Sequence, residues 1–327
     1  MGSSGKAGSI PLGVIAAKGD LVAGSGASAV VRLPVGSDGQ KLTSDSSAAG
    51  GLAWVTECVG TVYTTSHADA PVPPGITGAW VTLIGAGGGG GAGRRGAAGT
   101  VRTGGAGGGA GGYIAGYYLP ASWFGETFTL VVSAAPAGAV AQSLNDTNGA
   151  AGGAGGSTYL TSGTNLLRAR GGGGGAGGST VAATSNAGYP NGVSGGASSG
   201  TGGAGGNGTT SGWVGSPGAG GGITASDSPS AGGAGFGARA FSATETYSSP
   251  GGVVDSTPPA DGSMNTAITP GNSPGGGASS ITTAAQAGGA GIGYGTGGGG
   301  GGASLNGQAS GAGGAGGAGV AQILWIY

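Results

Sequence analysis

Charged residues are scarce in this chain: its 327 residues include ten lysines and arginines and eleven aspartates and glutamates, for a net charge of −1. The basic residues cluster only as Arg94 and Arg95 with Arg102, and as Arg168 with Arg170. Nucleic-acid binding needs a larger basic patch, so the sequence argues against it. We expect these arginines to lie at the surface or at strand ends. So low a charge density would also leave a free monomer poorly soluble, which indicates a protein that works inside an assembly.

Residues that usually carry catalysis or hold metals are just as few. The single cysteine, Cys58, excludes an intramolecular disulfide, and we predict a small buried hydrophobe at this position. The single histidine, His67, lies beside Asp69; a metal or proton site is one interpretation, and a solvated linker residue is the one we favour. The acidic residues are scattered singly, and no P-loop is present. We therefore predict that the chain is not an enzyme and that it holds no cofactor or metal ion.

Long apolar runs are absent as well. No stretch approaches the roughly 18 apolar residues that a membrane span requires, so we predict no membrane insertion. The N-terminus lacks the pattern of a signal peptide, and we expect any export to follow another route.

Glycine is what the chain has in abundance. It contains 91 glycines and 15 prolines, a share at which low-complexity disorder is the usual interpretation. Here, however, the glycines are gathered in short runs separated by ordinary loops, so disorder of the whole region is kept as the alternative. Collagen is a poorer one, because the G-X-Y repeat is not sustained. The ten runs are residues 85–93, 104–112, 149–156, 171–178, 195–206, 218–222, 231–235, 275–277, 288–302 and 311–319.

The last run has a strict period of three, with Ala312, Ala315 and Ala318 in one column. A threefold extended helix of the polyproline II type puts every third residue on one face and makes no internal hydrogen bonds. Its N–H and C=O groups must pair with neighbouring segments or water, and glycine lets those segments approach closely. We therefore predict a packed bundle of such helices. Residues 289–297 have a period of two instead, which predicts a strand or a bend.

Strands are predicted where glycine runs meet apolar segments. The last run leads into Val320–Tyr327, which is apolar on both faces and should be central in its sheet. Residues 79–84 enter the run at 85–93 in a mirrored arrangement, so we expect these two strands to share a sheet. Further strands are predicted at 113–119, 127–134, 158–161 and 166–170. With residues 120–125 as a hairpin connection, they indicate a small antiparallel sheet or sandwich.

The chain divides into three regions by composition. Residues 1–60 are poorer in glycine, and residues 61–78 contain three prolines and are expected to form an extended connector. Residues 79–327 form a glycine-rich domain. Short strands are expected in the first region at 21–22, 29–34, 40–43 and 52–55, and would become stable if three copies of the chain intertwined. The predicted fold is mainly β, with short intertwined strands at the N-terminus, a small antiparallel sheet, a bundle of polyglycine helices and little or no α-helix.

One segment carries a resemblance to a known family. Between Lys18 and Val55 the chain contains, in order, Gly19-Asp20-Leu21, Leu33-Pro34-Val35-Gly36, Asp38-Gly39-Gln40, Leu42-Thr43 and Trp54. This segment resembles one that recurs in bacteriophage tail fibre and minor tail proteins. The resemblance implies a homotrimeric virion protein, exposed at the tail tip or along a fibre, whose N-terminal region attaches to other tail proteins.

The remainder of the chain carries a second resemblance. From Trp80 to Tyr327 a strand, a glycine run, aromatic strands, further runs with loops and a final strand follow one another. This order resembles the glycine-rich domain of minor tail proteins from phages of mycobacteria and related actinobacteria. More loosely, it is similar to the receptor-binding adhesins of T-even-like phages, which implies host contact through loops.

Loops between the glycine runs are accordingly the predicted contact surface, because a rigid block tolerates variable loops. Aromatic and amide side chains in them are natural anchors for a bacterial cell-surface glycan or protein. The candidate host-contact residues are Tyr189, Asn191, Trp213, Phe241 and Tyr247, and the polar segment 255–272 is added to them. For each aromatic the alternative is a lid over its own loop. For the whole chain the alternatives are a passive virion spacer and a depolymerase of cell-wall polysaccharide.

Overall fold

The computed structural model describes residues 15–26, 29–37, 40–56, 58–188, 190, 192–211, 214–237, 248–262 and 272–327. In these residues the chain is β or extended, with a single 3-10 turn at Ala121–Trp123 and no α-helix. The predicted fold class, mainly β with small antiparallel sheets, is confirmed. Within the described ranges, no helix is long and apolar enough to cross a membrane.

The described residues form eighteen strands, many of them short. Their bounds are β1 Leu21–Gly26, β2 Ala29–Leu33, β3 Gln40–Ser44, β4 Leu52–Thr56, β5 Cys58–Tyr63, β6 His67–Pro71, β7 Gly78–Ile84, β8 Arg95–Gly96, β9 Tyr113–Pro120, β10 Thr127–Val131, β11 Thr158–Ser162, β12 Asn165–Ala169, β13 Thr210–Ser211, β14 Val214–Gly215, β15 Gly235–Phe236, β16 Ser248–Ser249, β17 Ser304–Leu305 and β18 Val320–Ile326.

Two four-stranded sheets pack as a sandwich. Their strand orders are β5-β18-β7-β9 and β12-β11-β10-β6. Side chains from both sheets share one core, in which Val81, Leu83, Leu130, Leu160 and Ile323 are fully buried. The predicted pairing of the two strands that border glycine runs is confirmed, since β18 lies antiparallel to β7 from Val320 opposite Ile84 to Ile326 opposite Gly78.

The connection at residues 120–125 differs from the expected hairpin. The strand before it, β9, pairs with β7, whereas the strand after it, β10, pairs with β6 and β11. These residues therefore carry the chain from one sheet of the sandwich to the other. Local sequence predicted the two strands correctly, but their partners lie far along the chain.

Residues 61–78 are also not the extended spacer that their prolines predict. They contain the end of β5, which pairs with β18, and all of β6, which pairs with β10. The three prolines do not prevent strand formation here, because Pro71 ends an edge strand and the other two prolines follow it. Cys58, expected to be buried, is exposed at the start of β5. The division of the chain at residues 60 and 78 stays a prediction.

The N-terminal strands form two hairpins, β1–β2 and β3–β4, close to the predicted positions. Residues of the segment between Lys18 and Val55 join them. Asp20 accepts hydrogen bonds from Arg32 and from the backbone N–H of Val35, and this pairing with Arg32 holds the pKa of the Asp20 carboxyl well below its usual range. Trp54 donates its indole N–H to the carbonyl of Pro34 at 2.7 Å. A Cβ on Gly36 would lie 2.6 Å from the Trp54 ring, so glycine is required there.

The run at 85–93 shows how the glycine runs hold together. Every third residue donates its N–H to the same neighbour: residues 85, 88 and 91 to the run at 104–112, residues 86, 89 and 92 to 149–156, and residues 87, 90 and 93 to 311–319. Residue 139 and the segments 172–178 and 298–301 donate to its carbonyls in turn. The run therefore has six neighbours, and its hydrogen bonds have the threefold period that the sequence predicts.

Side-chain positions in the runs follow the same period. All residues of the run at 85–93 are buried, and an added Cβ on its glycines would meet a backbone carbonyl of a neighbouring run. In the last run, by contrast, Ala315 is exposed and Ala312 and Ala318 are half-buried. The predicted alanine column therefore faces outward, where a methyl group has room.

The stretch with period two contains a bend, which was one of its two predicted forms. Gly295 has a φ of 69°, and Thr296 donates its hydroxyl hydrogen bond to the carbonyl of Gly293 at 2.7 Å. The bend lies beside the sandwich, where Tyr294 packs against a small cluster that contains Ile84 and Val320. This cluster joins the packed glycine runs, which we call the glycine block, to the sandwich.

Candidate functional site

The glycine runs point both toward and away from the sandwich, so their connecting loops gather at two ends of the block. The run at 85–93 leaves the sandwich at Ile84, and the run at 104–112 returns to it at Tyr113. At the opposite end, loops meet through short bridges: Arg95 pairs with Thr147 and Ser304, Arg102 with Ile223, and Ser280 with Ser304. We call this the arginine end. It comprises residues 94–103, 143–148, 223–229, 279–284 and 303–308.

Arg102 is the centre of the arginine end and is fully buried. Its guanidinium donates to the carbonyls of Gly96 and Ala97, at 3.2 and 2.6 Å, and forms an ion pair with Asp227. The pKa of Asp227 is lowered, first by the hydrogen bond from Arg102 and then by the backbone N–H of Gly99. The expectation that Arg102 lies at the surface is therefore wrong, because carbonyls and a carboxylate replace its hydration.

Arg94 and Arg95 extend this arrangement to the neighbouring loop. Arg95 is 9% exposed and donates to the carbonyl of Ser143, and Arg94 donates to the side chain of Asn148. Both contacts hold the loop at 143–148 against the end of the first glycine run. By contrast, Arg168 and Arg170 are exposed near the end of β12, as expected.

Aspartates shape the turns at this end of the block. Asp146, Asp227 and Asp255 have φ angles of 54°, 56° and 52°, in a region that few residues other than glycine and asparagine or aspartate adopt. The Asp146 carboxylate accepts hydrogen bonds from the Ala97 N–H at 3.0 Å and from the Asn306 amide at 3.1 Å. Sequence reasoning missed these turns. Their signal was an aspartate followed by serine or threonine between two glycine runs.

A shallow cavity of about 300 Å³ opens in the same region. Six of its eight lining residues carry a hydroxyl or an amide group; the lining consists of Asp255, Ser256, Ser279, Ser280, Thr282, Thr283, Ala284 and Gln286. The Gln286 amide fixes one wall by donating to the carbonyl of Val253 at 2.9 Å. Because the groups are mostly uncharged donors and acceptors, this lining suits a hydroxylated neutral ligand better than a charged one.

The five predicted host-contact residues, Tyr189, Asn191, Trp213, Phe241 and Tyr247, all lie outside the described residues. Their described flanks belong to the end of the block that faces the sandwich. For example, the Pro190 carbonyl accepts a hydrogen bond from the N–H of Tyr113 at 2.8 Å. Of the polar segment 255–272, residues 255–262 and 272 are described, and Asp255 lines the cavity. The described part of the chain therefore adds a second candidate surface to the predicted one.

Among the described residues, no group of three histidine, cysteine or acidic side chains could hold a metal ion. For His67 the sequence allowed a metal site or a linker residue. His67 lies on β6 and packs edge-on against Tyr63, with the two ring centroids 5.0 Å apart. Comparison with known proteins returns no matching family model and no similar curated protein.

Proposed function

We propose that this chain is a structural protein of a bacteriophage tail, a minor tail protein or tail fibre, that contacts the host cell surface through loops of its glycine-rich domain. The observation that carries the proposal is the hydrogen-bonded glycine lattice, which holds many loops at two ends of a rigid block. Such a platform keeps its shape while its loops vary, and this is what recognition of variable surfaces requires.

The N-terminal region supports the same proposal. The motif residues Asp20, Pro34, Gly36 and Trp54, which carry the resemblance to tail proteins, each make a defined contact in the two hairpins. We propose that this region attaches the chain to other tail proteins as part of a homotrimer, so that the protein is exposed on the virion. A glycan is the favoured host ligand, because hydroxyl and amide groups line the cavity at the arginine end.

The test uses the fluorescently labelled full chain, incubated with a panel of mycobacterial and related actinobacterial cells and with their purified cell-wall polysaccharide. Thr282→Arg places a bulky charge at the cavity and should lower cell binding about tenfold, the size of effect expected when one contact region is lost. Thr164→Arg, in the exposed turn between β11 and β12, is the matched control. Trp213→Ala, Phe241→Ala and Tyr247→Ala test three of the host-contact residues that the sequence predicts.

The outcomes separate the candidate functions. Binding that only the Trp213, Phe241 and Tyr247 variants weaken would assign host contact to the predicted aromatic residues and not to the cavity. A chain that binds none of the cells or polysaccharides would favour the passive spacer. Release of reducing ends from the polysaccharide would contradict the prediction that the chain is not an enzyme.

A further inference from the structure

The sandwich has four edge strands, and three of them carry features that discourage pairing with another polypeptide. β9 contains Gly116 at a φ of 50°, a register shift beside it and Pro120 at its end. β6 contains Asp69 at a φ of 48° and ends at Pro71. β12 carries the exposed Arg168. These edges are protected.

β5 is the fourth edge, and it has none of these features. Its sequence, Cys58-Val-Gly-Thr-Val-Tyr63, contains no charge and no proline, and it pairs with β18 without a bulge. In the described part of the chain, no hydrogen bond joins its outer edge to another segment. An open, uncharged edge of this kind is a template for strand addition by a polypeptide.

The outer face of the same sheet lies next to β5 and is mostly apolar; Gln322 and Thr82, in the same row as Val62, are its polar residues. Val62 is 49%, Trp80 45% and Tyr118 42% exposed, and Leu324 lies half-buried between Trp80 and β5. No charged side chain points outward from the described residues of these four strands. With strands about 4.8 Å apart and a rise of about 3.3 Å per residue, the face covers roughly 400 Å². Patches of this size on a monomer are commonly interaction sites.

The N-terminal hairpins bury few side chains, although they contact each other through Trp54 and Pro34 and the β3–β4 hairpin lies beside Val59, Pro74 and Tyr327 of its own chain. Among the side chains described between residues 15 and 56, Ala23 is the only buried one. Leu21 and Val30 are 38% and 44% exposed. A two-stranded hairpin without a packed face is marginally stable at best. These hairpins therefore need an apolar surface to pack on.

We propose that the N-terminal hairpins of a neighbouring copy cover β5 and the outer face of the sandwich, so that the copies exchange residues 21–56 around a common axis. A polypeptide is the occupant, because only a backbone completes the open edge of β5. A second copy is the partner, because within one chain the β3–β4 hairpin lies beside Val59, Pro74 and Tyr327 and still leaves β5 as an edge strand. The inference rests on the homotrimer of the proposed function and names its interface.

The experiment measures the mass of the full chain by sedimentation equilibrium over a range of concentrations. Val62→Lys on the sandwich and Val30→Lys on the hairpin should each raise the dissociation constant at least about tenfold, because each places a charge in a buried apolar contact. Val140→Lys is the matched control, since Val140 is 73% exposed and lies outside both surfaces. Alkylation of Cys58 by a maleimide provides a second readout and should be slower in the wild type than in Val62→Lys.

A wild-type chain that stays monomeric at tens of micromolar would overturn the proposal, as would a Val62→Lys chain with the mass of Val140→Lys. Association that is weakened by Val62→Lys but not by Val30→Lys would show that the hairpins are not part of the interface, and this result would also contradict the proposal. Loss of cell binding by a variant that remains oligomeric would count against the proposed function and not against this interface.

Discussion

At the scale of single residues, the fully buried charge of Arg102 lies where the glycine runs end. Arg102 is fully buried, and its hydrogen bonds to carbonyls and its ion pair with Asp227 offset the free-energy cost of removing its charge from water. In a chain with so few ionisable groups, this pair closes the arginine end by joining the loop at 94–102 to the turn at 224–228. Its contribution should therefore be visible in the pH dependence of stability.

We predict that the melting temperature of Asp227→Asn falls less than that of the wild type when the pH is lowered from 7 to 2. The pKa of Asp227 is lowered in the folded chain, so its stabilisation is present above the unfolded value of about 3.9 and is lost as the pH falls through the folded value. The melting temperature of Asp227→Asn should thus lie below that of the wild type at pH 7 and approach it near pH 2. Calorimetry of both proteins between these limits is the measurement. An equal gap at every pH would show that the pair contributes no charge interaction.

At the scale of one element, successive positions of a glycine run face different neighbours. In the run at 311–319, Ala315 faces outward, whereas a Cβ added to Gly314 would overlap the carbonyl oxygen of Gly289. Glycine content alone does not describe this arrangement, because the order within each triplet decides which face can carry a methyl group.

Exchanging the two residues tests this point at constant composition. We predict that Gly314→Ala combined with Ala315→Gly lowers the free energy of unfolding by about 3 kcal/mol or more, since the inward methyl forces the lattice apart. Ala315→Gly alone should cost no more than about 1 kcal/mol, because it only adds freedom to the unfolded chain. Denaturant unfolding of the three proteins gives the comparison. Equal stability of the double and single variants would refute an inward-facing Gly314.

At the scale of the whole molecule, the sandwich combines strands that lie far apart in the chain, from β5 at Cys58–Tyr63 to β18 at Val320–Ile326. β18 lies between β5 and β7, and β10 lies between β6 and β11. Tyr63 of β5 also packs edge-on against Phe128 of β10, with ring centroids 6.4 Å apart. Residues 58–71 therefore supply two edge strands, β5 and β6, to the sandwich.

Two shortened chains test this architecture. A chain that begins at Cys58 keeps all eight strands of the sandwich, whereas one that begins at Ile76 loses β5 and β6. We predict that the second is less stable by on the order of 3 kcal/mol, because side chains such as Tyr63, Ala70 and Val72 no longer cover the core. Circular dichroism and thermal unfolding of both chains provide the measurement. Equal melting temperatures would show that the two strands are dispensable.

The sequence by itself determined the class of structure and the internal order of its glycine runs. Periodicity alone put Ala312, Ala315 and Ala318 in one column, because every third residue of a threefold helix lies on the same face; that this column faces outward was decided by the packing of the runs. The strands that border glycine runs followed from their apolar faces, and the pairing of the first with the last followed from their mirrored positions.

Tertiary structure decided which segments became neighbours. A run such as 85–93 can pair with any other glycine run, since the backbone groups that it offers are identical, and only the packed whole selects its six partners. The sheet exchange at residues 120–125, the role of 61–78 in the sandwich and the burial of Arg102 likewise depend on contacts with residues far away in the chain. Local sequence carries no record of those contacts, because backbone hydrogen bonds do not distinguish one glycine from another.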